Sequence, residues 1–250
     1  MNPFSLSGNV AMVTGCNKGL GQAMAIALAN AGADVVGVSR SEADETRQAI
    51  EAQGQRFHGI HAELGNDAPS DIVAQAVNQA GQLDILINNA GTIRRAPALE
   101  FTEDDWDAVI DVNLKAAFFL SQQVARHLVE RQRGGKIVNI ASVLSFQGGI
   151  RVPSYTSSKS GILGLTRLLA NEWAPYGINV NAIAPGYMAT DNTQALRDDP
   201  DRSADILGRI PAGRWGTPDD LAGAVIFLCS NAANYVHGHA LAVDGGWLAR

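Results

Sequence analysis

Short apolar runs alternate with longer stretches of helical period along the chain, and this alternation constrains the fold more than any other feature. A strand buried on both faces reads as a continuous apolar run, and successive parallel strands need a crossover between them, usually a helix. The runs are Val10–Thr14, Asp34–Ser39, Arg56–His61, Asp84–Ile87, Lys136–Ile140, Ile178–Ile183 and the short Leu241–Val243. Helical segments are expected between them at about 19–31, 42–53, 67–80, 103–131, 154–175 and 217–230, opened by caps such as Thr102 with Asp105 and Thr217-Pro218 with Asp220. With no repeat and no linker in view, residues 1–250 read as one α/β domain. One segment breaks the alternation. Residues 187–216 are too long for a simple connection and fit either a substrate lid or a surface insertion.

Charge and cysteine content exclude several functions. Lys and Arg total 19 against 25 Asp and Glu, a net −6, so the chain has no global basic field for nucleic acid. Charged residues are 18% of the chain, below the roughly 25% usual for soluble domains, which points to surface hidden in an oligomer. Only Cys16 and Cys229 occur, in neither a C-x-x-C nor a metal-ligand spacing, so a reducing, cytoplasmic compartment without structural zinc is expected. The first fifteen residues carry no basic leader or sustained apolar core, and no run reaches the ~20 apolar residues that span a bilayer.

Val10–Thr14 leads directly into T-G-C-N-K-G-L-G at 14–21 and then into a helical stretch. Strand, glycine-rich turn and helix in that order let a pyrophosphate approach backbone amides at the positive end of the helix. The glycines at Gly15, Gly19 and Gly21 do not match the triphosphate-binding pattern, since Leu20 stands where its second Gly belongs. Taken alone, the turn fits either a dinucleotide or a tight connection. With the alternating strands and helices it gives a Rossmann-type, doubly wound, seven-stranded parallel sheet.

Tyr155 and Lys159 lie four apart at the start of a helical stretch, on one face. A neighbouring ammonium favours a phenolate, which would make the tyrosine an acid/base near neutrality. Ser142 follows the run Lys136–Ile140 at what should be the carboxyl edge of the sheet, where ligand-binding residues collect. N-N-A-G at 88–91 follows another run at the same edge, and Asn113 sits inside an apolar helical stretch, where a buried amide requires a partner. Each alone is also compatible with a structural role.

Jointly, T-G-x-x-x-G-x-G at 14–21, N-N-A-G at 88–91, Asn113, Ser142, Tyr155, Lys159 and P-G at 185–186 resemble the short-chain dehydrogenase/reductase family, over nearly the whole chain. The resemblance implies that Tyr155 is the general acid/base, Lys159 lowers its pKa and binds the nicotinamide ribose, Ser142 orients the carbonyl, and Asn113 holds a water in a proton relay. It places Asn17, Lys18, Leu20, Ser39, Arg40, Glu63, Leu64, Asn89, Ala90, Gly91, Pro185, Gly186, Met188 and Thr190 around the cofactor. Longer strings at 145–156, 184–190, 209–216 and 243–250 resemble family members acting on keto and hydroxy sugar acids, in the range of uronate, gluconate and polyol oxidoreductases. A homotetramer is implied, with the helices at 103–131 and 154–175 and the segment Gly245–Arg250 against neighbouring subunits. A dinucleotide-binding regulator without chemistry is the competing class, and it would show a broken catalytic set. Here Asn113, Ser142, Tyr155 and Lys159 are all present.

An acidic substrate needs a cation, and arginine offers two parallel donors. Arg94, Arg95 and Arg151 lie nearest the site motifs, while Arg202, Arg209 and Arg214 occupy the long segment; Gln147 and Trp215 are further candidate pocket residues. The sequence does not choose among them. The second run ends in Ser39-Arg40 with no acid before Glu42. An acid there would bind the adenosine ribose and repel a 2′-phosphate. Arg40 with Lys18 instead resembles NADP-preferring family members, so NADP(H) is expected to be favoured, with NAD(H) accepted.

Overall fold

The computed structural model describes residues 2–250. Each apolar run becomes a strand, with small shifts at the ends: β1 (Val10–Thr14), β2 (Asp34–Ser39), β3 (Phe57–His61), β4 (Ile85–Asn88), β5 (Gly135–Ile140), β6 (Ile178–Pro185) and β7 (Ala240–Val243). All pair in parallel, in the order β3-β2-β1-β4-β5-β6-β7. The helices α1 (Gly19–Asn30), α2 (Asp44–Glu51) and α3 (Pro69–Ala80) cross over in the first half.

Local chemistry explains where the later helices depart from the expected spans. The stretch at 103–131 begins as α4 (Glu103–Ile110), capped by Thr102 Oγ1 accepting from the Asp105 N–H, and widens into a π turn over Asp111–Ala116 before α5 (Ala117–Glu130). Helix α6 (Pro153–Trp173) follows. In the long segment, α7 (Gln194–Asp198) and α8 (Pro200–Arg209) are separated at Asp199, because the residue before a proline is driven to extended backbone. Asp199 then caps α8 by accepting from the N–H groups of Asp201 and Arg202. Thr217, Pro218 and Asp220 form a capping box on a 3-10 turn at Pro218–Leu221, ahead of α9 (Ala222–Cys229).

The strands alternate their side chains between two apolar layers. Ala11 and Val13 pack with Met24 and Leu28 of α1 and Val225 and Leu228 of α9. Val10 and Met12 pack on the opposite face with Ile72 and Val73 of α3 and Leu120 and Val124 of α5. Cys16 and Cys229 are buried free thiols. Trp247 is also buried within its own chain, against Tyr187, Ile206 and Ile210, so the C-terminal apolar residue expected to face a neighbouring subunit is already covered.

Below the sheet, at the amino end of β5, Lys136 is buried. Its ammonium donates to two neutral acceptors, Asn179 Oδ1 at 2.9 Å and Asn234 Oδ1 at 2.7 Å. Burial disfavours the charge and lowers its pKa from 10.5 to about 8. Between those values the unfolded chain holds a proton that the folded chain has released, so this group adds stability as pH rises. The unfolding free energy of wild type should therefore rise relative to Lys136→Met between pH 7.5 and 10, by on the order of 2 kcal/mol. Urea titrations at both pH values check this; a pH-independent difference would contradict it.

Candidate functional site

The strand order reverses between β1 and β4: from β1 the chain builds toward β3, and from β4 toward β7. Loops leaving adjacent strands in opposite directions open a crevice at their carboxyl ends. The turn after β1, Ser39–Arg40 after β2, Asn89–Gly91 after β4, Ser142 beyond β5 and Pro185–Gly186 at the end of β6 all lie on this edge.

The glycine-rich turn is a built cradle. Gly15 and Gly19 have φ of +67° and +58°, in the left-handed region. An added Cβ on Gly21 would meet Gly15 O at 2.0 Å and Asn89 Nδ2 at 2.4 Å, so only glycine fits. Helix α1 begins with extended Lys18, without a side-chain cap or an acid in its first turn. Its leading amides are thus left for an anion at the positive helix end. Asn89 donates from Nδ2 to Thr14 O at 2.8 Å and Gly15 O at 3.2 Å, while Thr14 Oγ1 accepts from the N–H groups of Asn89 and Ala90. Asn89 is thus a brace of the cradle. Gly91 lies against Asn113, since an added Cβ would stand 3.3 Å from its Oδ1.

At the β2 and β3 ends, Asn17 Nδ2 donates to Ser41 Oγ at 2.9 Å and Ser39 Oγ donates to Ser41 O at 2.7 Å. Arg40 stands 3.7 Å from Glu63 Oε1, next to buried Leu64. Lys18 Nζ is 2.6 Å from Asp191 Oδ2. Both expected cations are exposed and already face a carboxylate.

The four expected catalytic side chains gather beyond β5. Lys159 is buried, and its Nζ donates to Ile140 O at 2.6 Å and lies 5.7 Å from the centre of the Tyr155 ring. Burial lowers its pKa to about 8. Burial raises the pKa of the Tyr155 hydroxyl, while the Ser142 hydroxyl and then the Arg95 charge oppose that rise. The largest influence on Tyr155 is desolvation, and the Lys159 ammonium beside it donates to a carbonyl. Ser142 caps a 3-10 turn through the N–H of Leu144; Ser145 Oγ accepts from Ser142 N–H and donates to Lys159 O at 2.7 Å.

Asn113 occupies the π turn, a helix irregularity frequent at functional sites. Its amide is fully engaged: Oδ1 accepts from Thr92 N–H at 2.8 Å, and Nδ2 donates to Thr92 O and Ser158 Oγ. Ser158 in turn donates to Tyr155 O at 2.8 Å. The side chain ties the loop after β4 to the first turns of α6.

Among the candidate arginines, pairing separates those committed elsewhere. Arg214 forms a bidentate pair with Asp220 at 2.7 and 2.8 Å, which holds the Asp220 carboxyl far below its usual range. Arg94 Nε stands 3.3 Å from Asp105. Arg95 donates only to the Asn192 carbonyl, at 3.0 Å, and its charge is felt at Tyr155. Arg151 has φ +63°, and its carbonyl accepts from Ala96 N–H; Gln147 lies on the same loop. Arg209 stacks over Trp247 at 4.0 Å.

Segment 187–216 closes on itself at a narrow neck. Ala189 N–H donates to Gly216 O at 2.7 Å and Gly216 N–H donates to Tyr187 O at 2.9 Å. Met188 packs so closely on Gly216 that an added Cβ would stand 2.2 Å from its Sδ. Tyr187 packs with Trp215 at 5.7 Å and Trp247 at 4.6 Å. Thr190 opens the turn Asp191–Thr193 with a capping box. Ser41, Thr92, Ser145, Ser158, Tyr187 and Asp191 were not singled out from the sequence. Only the S-x-x-S spacing of Ser142 and Ser145 offered a signal, as a capping pattern. No group of three or more His, Cys, Asp or Glu among the described residues could hold a metal ion, and no helix there is long and apolar enough to cross a membrane.

Residues 15–248 match the family described as enoyl-(acyl carrier protein) reductase. The chain is 59% identical to 2-dehydro-3-deoxy-D-gluconate 5-dehydrogenase of Escherichia coli K12, over 100% of this chain and 99% of the relative. A crystallised protein from Agrobacterium tumefaciens, named provisionally as a 2-deoxy-D-gluconate 3-dehydrogenase and holding NADP, superposes with a TM-score of 0.95 at 58% identity over 100% of both chains. A gluconate 5-dehydrogenase from Burkholderia cenocepacia in complex with NADP and tartrate gives 0.94 at 38% identity, over 100% of this chain and 98% of that one. With matches of this length and identity, the chain belongs to the short-chain dehydrogenase/reductase family.

Proposed function

We propose that the protein is an NAD(P)-dependent oxidoreductase of sugar acids, with the activity of a 2-dehydro-3-deoxy-D-gluconate 5-dehydrogenase. Its reaction is the interconversion of 2,5-diketo-3-deoxygluconate and 2-keto-3-deoxygluconate, without a metal. One observation carries the chemistry: Ser142, Tyr155 and Lys159 meet beyond β5, beside a cradle only glycine can line. Full-length identity of 59% to the Escherichia coli enzyme supports the substrate. The Burkholderia relative favours gluconate 5-dehydrogenase as a second reading.

A nicotinamide cofactor, when bound, supplies or accepts the hydride. Gly15, Gly19, Leu20 and Gly21 with the α1 amides would hold its pyrophosphate, Asn17, Ser39 and Arg40 its adenosine end, and Pro185, Gly186, Met188 and Thr190 its nicotinamide end. The Ser142 hydroxyl donates to the substrate carbonyl oxygen and fixes it beside Tyr155. In the reducing direction the Tyr155 hydroxyl protonates that oxygen, and in the oxidising direction it takes the proton back. An alkoxide in a water-poor site has no other ready proton source. Lys159, with its pKa near 8, holds a positive charge beside the phenol and stabilises its ionised form.

Arg95 is the carboxylate anchor. Unlike Arg94 and Arg214 it pairs with no acid, and it alone of the candidates acts on Tyr155. Segment 187–216 acts as the lid over this pocket, with Tyr187 and Trp215 as its wall. We place the enzyme in the cytoplasm as a homotetramer. A low charge fraction and the half-exposed Trp106 and Phe119 on α4 and α5 support that assembly.

Assay of purified protein against keto-deoxy sugar acids, gluconate and polyols, with both cofactors, tests the function; reduction of 2,5-diketo-3-deoxygluconate should be fastest, and wild-type kcat/KM should favour NADPH over NADH. A tenfold preference for NADH would overturn the cofactor assignment. Tyr155→Phe should lower kcat by at least 100-fold while cofactor still binds, as fluorescence titration will show. Arg95→Ala should raise KM for the acid about 10- to 100-fold, the loss of a charge-assisted contact, and leave a neutral analogue nearly unaffected. Sedimentation at micromolar concentration should find a tetramer, and a 26 kDa species alone would refute one.

A further inference from the structure

Lys18 does not stand free at the mouth of the cradle. Its Nζ lies 2.6 Å from Asp191 Oδ2, across 173 residues of chain. Asp191 begins the 3-10 turn Asp191–Thr193 in segment 187–216. That turn sits over the cradle, because an added Cβ on Gly19 would come 3.9 Å from the Thr190 methyl. From the other side, Arg95 donates to Asn192 O at 3.0 Å. One short turn is thus held by a cation from the cofactor side and a cation from the substrate side.

We propose that Asp191 is a cofactor-selecting residue: its carboxylate holds Lys18 when no 2′-phosphate is present and yields it to the 2′-phosphate of NADP(H). The inference rests on the NADP(H) reading above. Lys18 and Asp191 are 68% and 75% exposed, so water screens their pair and it breaks easily. A phosphate dianion is a stronger partner for the same ammonium, through charge-assisted hydrogen bonds. NAD(H) offers no such phosphate and leaves the pair intact. Asp191 therefore opposes NADP(H) alone, by holding the cation that NADP(H) needs. Arg40 is under a looser hold, 3.7 Å from Glu63, so the closer Lys18 pair carries the larger share of the competition. When Lys18 is withdrawn, the turn keeps the bond from Arg95 to Asn192 O and that of the Thr193 hydroxyl to Met188 O.

Dissociation constants for NADPH and NADH, from fluorescence titration of wild type, Asp191→Asn, Lys18→Met and the double variant, test this without recourse to turnover. Asp191→Asn should tighten NADPH about two- to fivefold at low salt, the range expected for release of an exposed ion pair. NADH should change less than this, and Asp191→Glu should behave as wild type. The NADPH gain should shrink at 0.5 M salt, a test condition at which surface charges are strongly screened. On the Lys18→Met background, Asp191→Asn should have no effect. Equal tightening of both cofactors, an unchanged NADPH constant, or the same gain without Lys18 would each overturn the role of Asp191. A wild type that binds NADH but not NADPH would instead overturn the reading on which it rests.

Discussion

Helix α1 lies so close to the end of β1 that no side chain fits between them, and the rest of the site depends on that approach. The Gly21 position is closed by Gly15 O and by the amide of Asn89, so two strands and a helix meet at one point. Thr14 Oγ1 accepts from two consecutive N–H groups after β4, and Asn89 returns two bonds to the turn after β1. The crevice at the switch point is thus fixed before any ligand arrives. Its backbone donors face a future anion without reorganising, which is where a preformed site gains affinity. A side chain at Gly21 would push α1 away and remove the positive helix end from the crevice.

A second set of bonds carries that rigidity to the chemistry. Asn88 Nδ2 donates to Asn139 Oδ1 at 2.8 Å and Ser121 Oγ at 2.9 Å, and Asn139 Nδ2 donates to Thr166 Oγ1 at 2.9 Å. These buried amides join β4, β5, α5 and α6 in a low-dielectric interior, where such bonds strengthen one another. Helix α6 bears Tyr155 and Lys159, so its position against β5 sets their distance from Ser142. Ser145 fastens the near end, through Ser142 N–H and Lys159 O, and Asn113 with Ser158 fastens the outer face. Lys159 has its ammonium on Ile140 O, so the same residue that tunes the phenol also pins α6 to the sheet.

The strands were legible because burial on both faces leaves an unmistakable apolar run, and the cradle because only glycine tolerates Gly15 and Gly21. Tyr155 and Lys159 were legible from helical spacing. What the sequence hid was set by distance along the chain. Arg214 and Asp220 were both visible, but their bidentate pairing depends on how the neck at Gly216 folds back. Lys18 and Asp191 are 173 residues apart and share no periodicity. The π turn at Asn113 has no compositional mark, since its residues read as ordinary helix. The environment of Tyr155 was hidden for a related reason: spacing puts Lys159 on the same face, but only packing shows that the hydroxyl is desolvated and that the ammonium also reaches Ile140 O.

Segment 187–216 is not uniform, and its two halves are held by different physics. Its inner half is apolar: Ile206 of α8 and Ile210 just after it bury against Trp247 and Val143, and Arg209 covers the Trp247 ring. Lifting that half would expose several large side chains at about 1.5–3 kcal/mol each, and the neck at Tyr187 and Gly216 would have to part as well. Its outer half, from Thr190 through α7, contains no buried residue in the turn or in α7. It is held by the exposed Lys18–Asp191 pair, one bond from Arg95, the Thr193 hydroxyl on Met188 O and partial packing of Leu196 on the cluster around Trp247. Exposed contacts of that kind contribute little each, so the turn at Asp191 is held less firmly than α8. The two cations on this turn, Lys18 and Arg95, are the ones that cofactor and substrate would claim under the proposed function.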